Sequence, residues 1–186
     1  MAGAEGQPDE TLVSQARAGS KRAFGELIER ETGRLLALAT RMLASASQAE
    51  DVVQDSLASV WLTRHRLDAA KPIGPYLTTV VLNRCRDRLR RRKVVRFFGL
   101  AGDDELHAIA DDVPGPEAAA ASREELKLVR AEIARMPVRL REALVLVSIE
   151  GRSQAEAAEL LGTTEKAVET RVYRARNRLK ERFGKL

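Results

Sequence analysis

The chain of 186 residues contains very few of the side chains that build metal or redox centres. Cys85 is the one cysteine, and the two histidines, His65 and His107, are far apart in the sequence. A disulfide framework, a zinc finger or a cysteine and histidine cluster cannot be assembled from this set within one chain. We therefore expect no metal, no cofactor and an ordinary structural role for Cys85.

Aromatic residues and long apolar runs are also scarce. Aromatic residues make up 4% of the chain. No apolar run approaches the roughly 18 to 20 residues that a membrane-spanning helix needs. The first ten residues, MAGAEGQPDE, are polar and acidic, unlike a signal peptide. We expect a cytoplasmic protein without membrane insertion, whose cores are built from aliphatic side chains.

Helical periodicity is the main pattern that the sequence does contain. Apolar residues recur three and four positions apart along most of the chain, whereas strands would show alternation. The predicted fold is all-α, with two small helical domains joined by a flexible acidic linker. The predicted divisions are a disordered tail over 1–10, a first domain over 11–93, a linker over 94–122 and a second domain over 123–186.

Charges of opposite sign are separated along the chain, although the net charge is only +5. Residues 84–96 contain eight bases and one acid, and residues 97–125 contain one base and eight acids. Residues 165–186 again contain eight bases and three acids. Two basic helices on either side of an acidic linker favour a polyanionic partner.

The C-terminal domain has the spacing of a helix-turn-helix. Ser153 can cap a short helix that ends at Gly162, and Thr163 or Thr164 can cap the following helix. At 100° per residue, the buried face of that second helix is Val168, Val172, Ala175 and Leu179. The opposite face has hydrogen-bonding side chains flanked by cations, which suits the major groove of DNA. The candidate DNA-binding residues are Lys166, Thr170, Arg171, Tyr173, Arg174 and Arg176.

A pair of acidic residues forms a second candidate site in the first domain. Between Ala49 and Trp61 the apolar residues occupy one helical face, so Asp51 and Asp55 project together from the opposite face as like charges. A solvated surface and a docking patch for a basic protein are both compatible with this pair. The residues alone leave that choice open.

Three segments resemble bacterial sigma factors of the sigma-70 family, especially the extracytoplasmic-function (ECF, group 4) class. Ala49 to Trp61 is similar to the pattern AED(L/V)VQ(E/D)xFxxVW of region 2.2. Residues 76–92 resemble WLxxIAxNxxxDxxRR of regions 2.3 and 2.4, with Asn83, Asp87 and the arginine run in register. Residues 136–179, from the MPxxxR motif onward, resemble region 4. The resemblance covers nearly all of both predicted domains.

The resemblance implies a sigma factor that binds core RNA polymerase and directs promoter recognition, promoter melting and transcription initiation at a specific regulon. Its expected partners are the β′ clamp helices and the β flap of polymerase, promoter DNA and an anti-sigma factor. Asp51, Gln54 and Asp55 would dock on the clamp helices. The helix-turn-helix would bind the minus-35 element through the six residues named above. The minus-10 element would be bound by Tyr76, Thr79, Asn83, Arg86, Asp87 and Arg90, together with the loop over 68–75.

This sequence departs from the family pattern at three of these places. Tyr76 replaces the usual Trp, and Pro75 precedes it in the expected base-capture loop. Glu169 stands where many relatives carry a cation, so the preferred minus-35 sequence does not carry over. By the same resemblance, the acidic linker, with five acids between 103 and 112, would lie along the basic walls of the polymerase cleft.

Three alternative functions account for less of the sequence. A stand-alone helix-turn-helix regulator would need a dimer surface and has no need for the basic helix of the first domain. A metal-dependent nuclease using Asp51, Asp55 and Asp87 would lack a nearby histidine or a third clustered acid. A protein-interaction adaptor would leave the recognition face without a role. We therefore expect no catalytic residues and no small-molecule substrate.

Overall fold

The computed structural model describes residues 7–97 and 117–184, and every regular element within these ranges is a helix. The first domain contains α1 (Asp9–Arg17), α2 (Lys21–Leu43), α3 (Ala46–Leu62), a short 3-10 helix (Arg64–Arg66) and α4 (Ile73–Phe97). The second contains α5 (Glu117–Arg135), α6 (Val138–Leu144), a π-helical turn (Val145–Ile149), α7 (Gln154–Leu161) and α8 (Glu165–Phe183). The predicted all-α fold with two helical domains is confirmed.

The core of the first domain forms where α2, α3 and α4 pack together and α1 covers α2. The connection from α2 to α3 is short, because Ala44 takes a left-handed conformation with φ of 55° and Ser45 caps α3 through its side chain. The largest buried side chains are aliphatic, as predicted. They include Leu12, Leu35, Leu38, Met42, Val53, Val60, Leu77 and Val81.

The second domain is organised around the apolar face of α8. Val168, Val172, Ala175 and Leu179 are all buried, which confirms the face predicted from the helical period. α8 packs against α6, α7 and α5. The polar face that the period assigned to DNA is therefore on the outside of the domain.

Four helix boundaries differ from those expected from the sequence. α1 begins at Asp9, inside the predicted tail, where Pro8 precedes the helix and two acids occupy its first turn. α4 begins at Ile73, so Pro75 of the expected capture loop lies in the first helical turn, where its missing N–H costs nothing. α4 then continues to Phe97 and α5 begins at Glu117. The five acids between 103 and 112 lie outside the described residues.

Two adjacent residues of α8 should respond differently to the same substitution. Val172 is 5% exposed and Tyr173 is 66% exposed. Val172→Asp buries a charge and should lower the free energy of unfolding by about 3 kcal/mol or more. Tyr173→Asp should change it by less than about 0.5 kcal/mol. Urea unfolding followed by far-ultraviolet circular dichroism measures both, and equal destabilisation would show the face assignment to be wrong.

Candidate nucleic-acid interface

Local hydrogen bonds define the helix-turn-helix formed by α7 and α8. The side chain of Ser153 accepts a hydrogen bond from the Glu156 backbone, at 3.1 Å, and the Glu156 carboxylate accepts one from the Ser153 N–H, at 2.8 Å. These bonds lower the pKa of Glu156. Gly162 ends α7 with φ of 59°, and the Thr164 side chain caps α8. The predicted cap and stop are confirmed, and Thr164 rather than Thr163 is the second cap.

The outward face of α8 has an exposed centre between two tethered arginines. Tyr173 and Arg174 are exposed. On one flank Arg171 donates to the Thr163 side chain, at 3.4 Å, and on the other Arg176 donates to the Ser148 side chain, at 3.1 Å. The face therefore combines adaptable central side chains with cations whose positions are set by neighbouring elements.

The amino-terminal turn of α8 contains a compensated charge. Lys166 lies 2.8 Å from the carboxylate of Glu169, one turn away. The Thr170 hydroxyl donates to the Lys166 carbonyl at 2.8 Å. Glu169 therefore does not present an isolated negative charge to an approaching phosphate, because Lys166 accompanies it.

The predicted minus-10 residues share one side of α4, and one of them, Arg86, also reaches the second domain. The Asn83 amide oxygen accepts from Arg86 at 2.6 Å, and the Asp87 carboxylate accepts from Arg90 at 3.1 Å. Tyr76 is 42% exposed at the start of the helix, and one turn later the Thr79 hydroxyl donates to the Pro75 carbonyl. The Arg86 guanidinium also turns towards the second domain, where it pairs with Glu142.

The start of α4 is positioned by Arg34, a residue that the sequence analysis missed. Its guanidinium contacts Glu31 at 2.5 Å, the Thr78 hydroxyl at 2.9 Å and the Gly74 carbonyl at 3.3 Å. A Cβ at Gly74 would come within 2.9 Å of the Glu31 carboxylate, so a larger residue there would displace the side chain that Arg34 contacts. Arg34 is 40 positions from Gly74 in the sequence, so no local pattern could have identified it.

The acidic pair of α3 has intramolecular partners that the sequence analysis did not foresee. Asp51 lies 3.6 Å from Arg88, and Asp55 lies 3.9 Å from Arg84, both on α4. The repulsion expected between the two carboxylates is therefore offset. The carboxylates remain 62% and 74% exposed, and such exposed pairs contribute little stability. Both acids, with exposed Gln54 between them, are accessible to a partner.

Cys85 lies on the opposite side of α4, in the core of the first domain. It is fully buried, and burial raises the pKa of its thiol to about 12. Within residues 7–97 and 117–184, no three His, Cys, Asp or Glu side chains are grouped so that they could hold a metal ion. No helix in the same ranges is both long and apolar enough to span a membrane.

Comparison with known proteins identifies the family. Residues 27–94 match Sigma-70 region 2, and residues 126–179 match Sigma-70, region 4. RNA polymerase sigma factor NccH of Alcaligenes xylosoxydans xylosoxydans is 40% identical, with 92% of each chain covered. The chain belongs to the sigma-70 family. A sigma factor directs transcription initiation by RNA polymerase, so the stand-alone regulator is the weaker of the two DNA-binding alternatives.

Further relatives place the chain in the ECF class. RNA polymerase sigma factor CnrH of Cupriavidus metallidurans is 41% identical over 92% of each chain. ECF RNA polymerase sigma factor SigM of Mycobacterium tuberculosis is 33% identical over 96% of this chain and 86% of its own. The solved structure of CnrH in complex with the cytosolic domain of CnrY is similar with a TM-score of 0.65, at 32% identity, over 93% of this chain and 95% of that one.

The buried thiol gives a test of how α4 is seated in this sigma factor. Because its pKa is about 12, Cys85 should stay protonated and react slowly with Ellman's reagent between about pH 7 and about pH 9. The reaction should become fast in concentrated urea, where the thiol is exposed and its pKa returns to about 8.5. Equal rates with and without urea would show that the apolar face of α4 is not buried.

Proposed function

We propose that this sigma factor uses three exposed helical faces for three binding events during initiation. The face of α3 around Asp51 binds core polymerase, the outward face of α4 binds the minus-10 element, and the outward face of α8 binds the minus-35 element. The observation that carries the proposal is that each face, apart from half-buried Arg86 on α4, is solvent-exposed on a helix whose opposite side is buried in a core. Each face can therefore be contacted without unfolding its domain.

Polymerase docking is supported by the position of the acidic pair. Asp51, Gln54 and Asp55 are exposed within one and a half turns of α3, and their weak pairs with Arg84 and Arg88 leave lone pairs for a basic partner. The β′ clamp helices are the partner that the family resemblance implies. The β flap is the corresponding contact for the second domain.

Promoter binding divides between single-stranded and duplex DNA. On α4, the amide of Asn83, the carboxylate of Asp87 and the guanidinium of Arg90 form a mixed polar face next to exposed Tyr76, which suits unstacked bases. On α8, the exposed centre can read base edges in a major groove while Arg171 and Arg176 contact phosphates. Run-off transcription with core polymerase on candidate promoters tests the whole assignment.

A protein that restrains this sigma factor is a further proposed partner. The similar protein CnrH was solved in complex with the cytosolic domain of CnrY. We infer that this chain likewise binds an anti-sigma factor, and that it acts in the cytoplasm, where core polymerase is found.

The first functional prediction concerns docking on core polymerase. Asp51→Asn with Asp55→Asn removes both charges without placing new cations beside Arg84 and Arg88. We expect core affinity to fall at least about tenfold, which is about 1.4 kcal/mol, with unchanged helicity. Fluorescence anisotropy of labelled protein titrated with core polymerase measures the affinity.

The matched control for docking removes two exposed acids elsewhere in the first domain. Glu10→Gln with Glu29→Gln alters the net charge by the same amount, on α1 and α2. We expect this variant to bind core polymerase like wild type. Equal affinities for the two double variants would contradict the docking assignment on α3.

The second functional prediction separates base readout from phosphate contact on α8. In holoenzyme, Arg174→Ala should change the preference among minus-35 sequences by about 1 to 3 kcal/mol at particular base pairs, and Thr170→Ala should act similarly. Arg176→Ala should weaken binding to all sequences alike and reduce the salt slope by about one. Promoter-library transcription with filter binding at several salt concentrations measures both, and uniform effects from all three would refute the division.

A further inference from the structure

The two domains are packed against each other, and Glu142 lies in the contact between them. Glu142 belongs to α6, and its carboxylate pairs with Arg86 of α4 through both oxygens, one of them 3.2 Å from the guanidinium. The Glu142 side chain is 4% exposed and that of Arg86 is 24% exposed. The guanidinium of a residue proposed to bind minus-10 DNA is therefore paired with a carboxylate of the other domain.

Two more interdomain contacts lie at the carboxyl end of α2. Arg41 of α2 lies 2.5 Å from the Glu150 carboxylate, which follows the π-helical turn and is almost fully buried. Arg141 of α6 is also buried and donates to the Met42 carbonyl near the end of α2. The apolar cores of the two domains join into one continuous cluster around these contacts. The packing therefore involves charge pairs as well as apolar surface.

A cleft of about 610 Å³ between the domains has cations on both of its walls. The α4 wall includes part of the proposed minus-10 surface, and the facing wall includes the turn of the helix-turn-helix. The cations are Arg86, Arg90 and Lys93 on the first wall and Arg139 and Arg171 on the second, and Glu142 is the one carboxylate in the lining. Since these cations repel one another, the carboxylate of Glu142 offsets charge that would otherwise separate the walls.

The packed arrangement is too short to bind both promoter elements. The minus-10 and minus-35 elements are about 25 base pairs apart, which is about 85 Å of duplex at about 3.4 Å per base pair. A compact chain of 186 residues has a radius of gyration of about 16 Å and hence a diameter of about 40 Å. Arg86 and Arg90 of the proposed minus-10 surface and Arg171 of the proposed minus-35 surface also line the same cleft. The domains must separate before both elements can be occupied.

We propose that this sigma factor masks itself: in the free chain the second domain closes on α4, and Glu142 competes with promoter DNA for Arg86. The inference rests on the proposed assignment of α4 and α8 to DNA. In the closed state Arg86 is paired with Glu142 and Arg171 is half-buried, whereas Arg90 stays exposed. Polymerase favours the open state because docking holds the two domains apart. The free chain is therefore a weak DNA binder for a reason built into its own fold.

The Arg41–Glu150 pair allows the closed state to be tested without altering any proposed DNA or polymerase contact. Arg41→Glu places two carboxylates together and should open the chain. Arg41→Glu with Glu150→Arg restores an opposite pair and should close it again. Arg22→Glu, at an exposed position elsewhere on α2, makes the same change of charge and serves as the control.

Two measurements on the full-length free protein follow the opening. Small-angle scattering should give a radius of gyration of about 16 Å for wild type and several ångströms more for Arg41→Glu. Fluorescence anisotropy with a mixed-sequence duplex at low salt should show about five- to tenfold tighter DNA binding by Arg41→Glu. Simple electrostatics predicts the opposite, because the substitution makes the protein more negative, and the Arg22→Glu control should bind more weakly than wild type.

The outcomes separate self-masking from the proposed function. An expanded wild type, or a radius and DNA affinity that Arg41→Glu leaves unchanged, would overturn self-masking while run-off transcription by the wild-type holoenzyme still supported the sigma assignment. Loss of transcription by wild type would overturn the proposed function itself. If circular dichroism shows that Arg41→Glu is unfolded, Arg41→Gln is measured in its place, with a smaller opening expected and no opening counting against the proposal.

Discussion

Burial of one face of α4 is the constraint on which the proposed minus-10 surface, the surroundings of the docking acids and the contact between the domains all depend. Val81 and Cys85 are fully buried against α2 and α3, so the helical period turns Asn83 and Asp87 outwards. Because α4 is a single helix of 25 residues, its seating also sets where its basic carboxyl half lies relative to α3 and α6. One packing interaction thus orients the minus-10 surface, the arginines beside the docking acids and the wall on which the second domain closes.

The carboxyl end of α2 is the point at which the two domains share a structural element. The last carbonyls of a helix have no partners within it and carry partial negative charge. Here Arg92 of the first domain donates to the Leu43 carbonyl, and Arg141 of the second donates to that of Met42. Burial lowers the pKa of Arg141 to about 10, with the nearby Arg92 contributing, so Arg141 remains charged at neutral pH. Opening of the domains would return one of these carbonyls to water.

Some parts of this sigma factor are therefore built by contacts between residues close in sequence, and others by contacts between residues far apart in sequence. The helix-turn-helix is built from contacts within about ten residues, including the Ser153 capping box and the left-handed Gly162. The start of α4 depends on Arg34, and its outward face is partly covered through Glu142, which is 56 positions from Arg86. The surface that reads duplex DNA is thus locally specified, whereas access to the surface for melted DNA depends on how the domains pack.

The sequence by itself determined the helical class, the two domains, the caps of α7 and α8 and the exposed faces of α3, α4 and α8, because periodicity and capping act over a few residues. It did not indicate α1, the early start of α4 at Ile73 or the partners of Asp51 and Asp55 on α4. Tertiary structure alone decided the pairing of Arg86 with Glu142 and the burial of Arg141. These contacts join residues distant in sequence, and no local pattern encodes which cation a buried carboxylate meets.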